Sequence, residues 1–133
     1  LRSALADFAA AGIEDFIVSA HLEGDLVKFY GVEGTSFFSH TYPTRGNGFS
    51  KFGLEQHNGA PAEYSFSVSA LKTTADAAAR HFGMPIYGGD AIIRPDGRFF
   101  LIDFNDWPSF GSCTQAAAEA IATRALHFLR PGA

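Results

Sequence analysis

Leu1, Leu5 and Phe8 recur at helical spacing and Gly12 follows as a closing glycine, so residues 1–11 read as a helix. The pattern then changes period. "EDFIVSAHLEG" (14–24) is a β-branched and aromatic run that ends at Gly24-Asp25. "DLVKFYGVEG" (25–34) alternates, with Leu26, Lys28 and Tyr30 on one face and Val27, Phe29 and Gly31 on the other. "TSFFSHTY" (35–42) follows as a third strand after the turn at Glu33-Gly34. Connections this short predict an antiparallel meander, because a parallel crossover needs a dozen residues or more.

From Pro43 to Pro61 glycine, asparagine and proline accumulate and no period survives, which predicts a long loop. Val68, Leu71, Ala75, Ala79 and Phe82 then form a helical stripe closed by Gly83 and Pro85. Two strand-like runs follow around Pro95-Asp96-Gly97. The last helix has Ser112 and Gln115 spaced as a capping box, with Ile121, Ala125, Phe128 and Leu129 expected to face a core. The order α-βββ-α-ββ-α predicts an α+β fold of antiparallel sheet packed against helices.

Composition narrows this only a little. The 133 residues suit one domain, and 47% hydrophobic with 18% charged residues is ordinary globular content. No apolar run is long enough for a membrane span, and the opening residues show no signal-peptide pattern. A single cysteine, Cys113, allows no internal disulfide and fits a reducing, cytoplasmic setting, and it reads as structural. A net charge of -4 argues against a nucleic-acid partner.

The hairpin "GGDAIIRPDGRFFLIDFNDWPSF" (88–110) changes the picture more. Asp103 and Asn105, two apart in a strand, share a face. A three-residue Pro-Asp-Gly loop, which turn chemistry favours, would pair Arg94 with Arg98, set Asp90 against Ile102 and send it to the opposite face. A loop of two or four residues, or a bulge near Gly88-Gly89, would place Asp90 beside Asp103 instead. Facing carboxylates repel unless a proton or a cation lies between them. Two carboxylates and an amide oxygen form an all-oxygen set suited to Mg²⁺ or Mn²⁺.

This hairpin resembles the metal-binding hairpin of ATP-grasp enzymes, in which an acid on one strand and an acid-x-Asn about a dozen residues later hold magnesium on ATP. Asp90, Asp103, Asn105 and Pro108 fall on that pattern. The resemblance implies that residues 1–133 are a C-terminal ATP-grasp lobe, a fragment of a longer chain whose N-terminal lobes carry the lysine-bearing strands. It places an adenine hinge at Ser19-Ala20-His21, followed by the Gly24-Asp25 turn. It implies ATP and Mg²⁺ as cofactors, with Mn²⁺ as a substitute, and a small-molecule acceptor. The expected activity is phosphorylation of a carboxylate for ligation to an amine or thiol. Many such ligases carry an arginine two residues before the first metal acid, where Gly88 stands, whereas inositol-phosphate kinases of the superfamily lack it. An ATP-dependent small-molecule kinase is therefore the alternative, and a non-catalytic interaction module is a third reading. The fragment alone is expected to bind ATP weakly and turn over nothing.

Lys28 would line the nucleotide cleft as a phosphate contact, against the plainer reading of a snorkelling surface lysine. Arg45 and Asn47, in "PTRGNGFSKFG" (43–53), are candidate substrate contacts on a loop without the Gly-Lys-Ser/Thr ending of a P-loop. Trp107 reads as packing. The five histidines show no zinc-ligand spacing.

Overall fold

The computed structural model describes residues 2–43 and 60–129. Its elements are α1 (Arg2–Ala10), β1 (Asp25–Val32), β2 (Phe38–Thr41), α2 (Val68–Phe82), β3 (Ile86–Ile93), β4 (Phe99–Asp106) and α3 (Thr114–Leu129). The strands form one four-stranded antiparallel sheet in the order β2-β1-β3-β4. The fold is α+β, as the pattern predicts, and among the described residues no helix is long and apolar enough to cross a membrane.

Alternation along β1 sets the layers. Val27 and Phe29 are fully buried on one side, with Tyr87, Ala91 and Ile93 of β3 beside them and Leu71, Ala75 and Ala79 of α2 packed on top. Ser67 caps α2, its hydroxyl accepting the Ala70 N–H at 3.1 Å. Gly83 closes the helix in the left-handed conformation that glycine adopts without strain. The carboxylate of Asp25, 6% exposed, accepts the N–H groups of Ala62 (2.8 Å) and Tyr64 (3.0 Å) and so pins the segment leading into α2 to the start of β1. Glu33, just past β1, joins both helices: Arg80 of α2 lies 3.2 Å and Arg124 of α3 3.3 Å from its carboxylate oxygens.

Four expectations fail. Residues 14–24 form no strand; they run irregularly and mostly exposed, with Ile17 at 96%. A β-prone run becomes a strand only where a neighbour completes its ladder, and neither edge of the sheet pairs with it. The predicted meander is therefore a β1–β2 hairpin. In α3 the buried residues are Ala117 and Ala120, while Phe128 and Leu129 are exposed and Ala125 lies outside the contact. Small residues let this helix come close to the end of β1, which turns the larger side chains outward. Gln115 donates to Glu119 at 2.8 Å instead of forming a capping box with Ser112. Trp107 is 67% exposed, and Phe110, 7% exposed, packs there in its place.

Candidate functional site: a carboxylate platform on one sheet face

The Pro95-Asp96-Gly97 loop adopts the three-residue form. The Arg94 N–H donates to the Arg98 carbonyl at 2.8 Å, and Gly97 takes the left-handed conformation with φ 78°. Pairing proceeds regularly from Ile93 opposite Phe99 to Ala91 opposite Leu101. Continued without interruption, it would set Asp90 against Ile102. Instead the register shifts between Asp90 and Ala91: Ile102 is the extra residue, and Asp90 pairs with Asp103. The turn thus has the favoured length, and a bulge at Asp90/Ala91, close to the Gly88-Gly89 position left open as one alternative, reverses the parity that this turn alone would give.

Core packing demands this bulge. Leu101 and Phe104 both pack against the core, and Phe104 stacks on Tyr87 with ring centroids 5.3 Å apart. Residues three apart on a regular strand point to opposite faces. One extra residue returns both to the core and sends Asp103 and Asn105 to the other face. Gly89 makes the close approach feasible, since a Cβ there would lie 2.1 Å from the Asp103 carbonyl oxygen.

The face opposite the α2 core therefore carries two rows across the sheet. One runs Thr41, Lys28, Asp90, Asp103; the next runs Ser39, Tyr30, Gly88, Asn105. Lys28 lies with its ammonium 3.3 and 3.5 Å from the two Asp90 oxygens. Its side chain is 32% exposed and that of Asp90 24%, and a cross-strand pair this open contributes ~0–1 kcal/mol. Asn105 donates its side-chain N–H to Asp103, and both are exposed. The Tyr30 hydroxyl is pushed above its ordinary pKa, chiefly by burial and further by nearby Cys113 and Asp90, with Lys28 opposing. The Phe110 ring packs on Tyr30, with centroids 5.9 Å apart, and closes that end of the platform.

Pro108 covers Gly88: a Cβ on Gly88 would lie 2.8 Å from the proline ring. The chain enters this position through Trp107 and leaves it through Phe110, two non-glycine residues with positive φ (45° and 46°). The proline of the motif thus has a packing role that excludes any side chain at position 88.

Among the predicted site residues, the fold gathers Asp90, Asp103, Asn105 and Lys28. Ser19, Ala20 and His21 are exposed in the irregular stretch before β1 and belong to no strand. Arg45 and Asn47 lie outside the described residues. Tyr30, Ser39 and Thr41 join the face by pairing. Tyr30 could have been singled out from its alternation with Lys28, whereas Ser39 and Thr41 depend on a register that the sequence does not reveal. A separate open cleft of about 320 Å³ is lined by Glu33, Gly34, Thr35, Thr123, Arg124 and His127, none of which lies on the platform.

Among the described residues no group of three or more His, Cys, Asp or Glu side chains could hold a metal. The platform offers two carboxylates and an amide, hard oxygen donors that fit an ion keeping several waters or phosphate oxygens, as Mg²⁺ and Mn²⁺ do. Fold and site together define an α+β layer with a bulged, carboxylate-bearing hairpin on its open face. No family model, no curated protein and no solved structure matches the chain.

Proposed function

We propose that the chain is the C-terminal lobe of an ATP-grasp enzyme in which Asp90, Asp103 and Asn105 hold Mg²⁺ or Mn²⁺ on the phosphates of ATP. The observation that carries this reading is the bulge at Ile102, which puts Asp90 opposite Asp103 with Asn105 on the same face. The bound ion would neutralise charge on the polyphosphate and on the phosphoryl group in transfer. Asp90 and Asp103 supply the anionic seat, and Lys28 stands beside it as a compact positive charge for phosphate. Ser19, Ala20 and His21 would meet the adenine through the backbone, and Arg45 and Asn47 would meet the acceptor.

The reaction proposed from the resemblance is attack of a substrate carboxylate oxygen on the γ-phosphorus, with ADP leaving and an acylphosphate forming. An amine or thiol then displaces the phosphate. One observation favours the kinase variant, in which a hydroxyl is the acceptor: the ligase arginine has no room at Gly88 beneath the Pro108 ring. The non-catalytic alternative has no such support, and Asp90, Asp103 and Asn105 standing on one face argue against it.

The test is a titration of Mg·ATP against the full-length protein. Asp103→Asn and Asn105→Ala are each expected to weaken binding by about tenfold or more, the scale of a lost charge-assisted contact. Binding indifferent to both substitutions overturns the proposal. Hydroxylamine trapping then separates the branches, since an acylphosphate yields a hydroxamate and a phosphorylated alcohol does not.

A further inference from the structure

We infer that Lys28 is the platform's resident counter-cation, and that it makes the platform take a divalent ion together with a polyphosphate in preference to the bare ion. This rests on the metal-binding reading above and goes beyond it in assigning the selectivity to one side chain.

The two facing carboxylates are balanced differently. Asp90 is held by the Lys28 ammonium through both oxygens, at 3.3 and 3.5 Å. Asp103 is met by the neutral side-chain amide of Asn105. Lys28, Asp90 and Asp103 are successive partners in one row across three strands, so neighbouring side chains originate roughly 5 Å apart. A divalent ion shared by Asp90 and Asp103 would therefore enter beside a resident positive charge and compete with it for Asp90. At that separation the repulsion is substantial even after partial solvent screening.

Lys28 can yield the place. Its ammonium sits on a flexible four-carbon stem, and the side chain is 32% exposed, so it can swing outward without unpacking the core. What it needs is another anion. A bare cation supplies none, whereas a polyphosphate arriving with the cation brings several oxygens on the open side of the sheet. The displaced ammonium then exchanges one anionic partner for another, and both binding events become favourable together. A lysine that merely braces two strands would have no such effect. Its removal would change stability and leave the ion's preference for a phosphate-bearing partner untouched.

The experiment is a Mn²⁺ titration of the full-length protein, with free ion followed by electron paramagnetic resonance, in the absence and presence of ATP or tripolyphosphate. Thermal melting confirms that each variant is folded. Lys28→Met is expected to tighten binding of Mn²⁺ alone by on the order of tenfold and to shrink the gain in Mn²⁺ affinity produced by ATP. Lys28→Arg, which keeps the charge, is expected to restore the preference for the ion with polyphosphate. If Lys28→Met leaves the affinity for bare Mn²⁺ unchanged or lower while Asp103→Asn abolishes binding, the role of Lys28 is overturned and the metal platform stands. If the wild-type protein binds no Mn²⁺ with ATP, or binds it regardless of Asp103→Asn, the platform itself is overturned and the inference falls with it.

Discussion

Tyr87 shows how a single side chain can link core, helix and sheet. Its ring is fully buried between Phe29 and Phe104, and it lies so close to Gly31 that a Cβ there would be 2.3 Å from the phenol. Its hydroxyl donates to Asp76 of α2 at 2.7 Å, and Lys72 pairs with the same carboxylate from one helical turn away. Burial first, then the bond to Asp76, pushes the phenol far above its ordinary value of 10.0. A pKa raised in the folded state gives stability that is complete below the ordinary value and is lost as pH climbs beyond it. An alkaline absorbance titration should therefore show delayed tyrosine ionisation whose last step comes only on unfolding, and Tyr87→Phe should remove that last step while the smaller delay of Tyr30 remains. The same substitution removes a donor from Asp76 but leaves Lys72 in place, so a cost of ~1 kcal/mol in denaturant unfolding is expected. Ionisation of all tyrosines in one ordinary transition would contradict the buried hydrogen bond.

The bulge is a property of an element, and its test belongs at that scale. Gly89→Ala places a methyl against the Asp103 carbonyl and the Phe29 ring, where the available distances are 2.1 and 2.7 Å. The strands must separate or the register must slip, at a cost of ~1–3 kcal/mol. Because Asp103 faces Asp90 only in the bulged register, Mg·ATP affinity should fall along with the denaturation midpoint. A stable Gly89→Ala protein with undiminished affinity would show that the register does not position the carboxylates. This element also marks where legibility ends. The middle of the α2 stripe can be read directly, since Leu71, Ala75 and Ala79 repeat at helical spacing and are buried, whereas Val68 and Phe82 at its two ends are exposed against expectation. The three-residue turn follows from Pro-Asp-Gly. The bulge does not, because "FFLI" (99–102) is apolar at every position and hides which residues face the core. Only the joint packing of Leu101 and Phe104 reveals the switch in parity. In α3 the bulky residues mislead for a related reason: closeness to β1 selects alanine, so the largest apolar side chains are not the buried ones.

At the scale of the molecule, the residues before β1 stand apart from the rest. No residue of α1 is buried, and the Phe8 ring meets Phe16, 5.7 Å away, within the same stretch. Phe16 is 47%, Ile17 96% and Val18 62% exposed, whereas β1, β3 and α2 supply the whole central core cluster. A segment that buries nothing against the core contributes little to its stability. Deleting residues 2–22, while keeping Gly24 and the Asp25 clamp, should therefore shift unfolding by no more than about 0.5 kcal/mol. Solubility should improve as exposed apolar surface is removed. Function should divide at the same boundary. The platform residues all lie after residue 24, so Mn²⁺ with tripolyphosphate should bind the shortened protein as it binds the parent. If Ser19, Ala20 and His21 form the proposed adenine hinge, their loss should abolish any affinity that ATP holds over tripolyphosphate. Unequal loss of the two ligands, read by calorimetry on both proteins, would separate an adenine hinge from a phosphate platform. If both ligands lose affinity equally, the hinge assignment fails. A large fall in stability on truncation would mean instead that residues 2–22 dock onto the sheet and complete a core that β1, β3 and α2 do not fill alone.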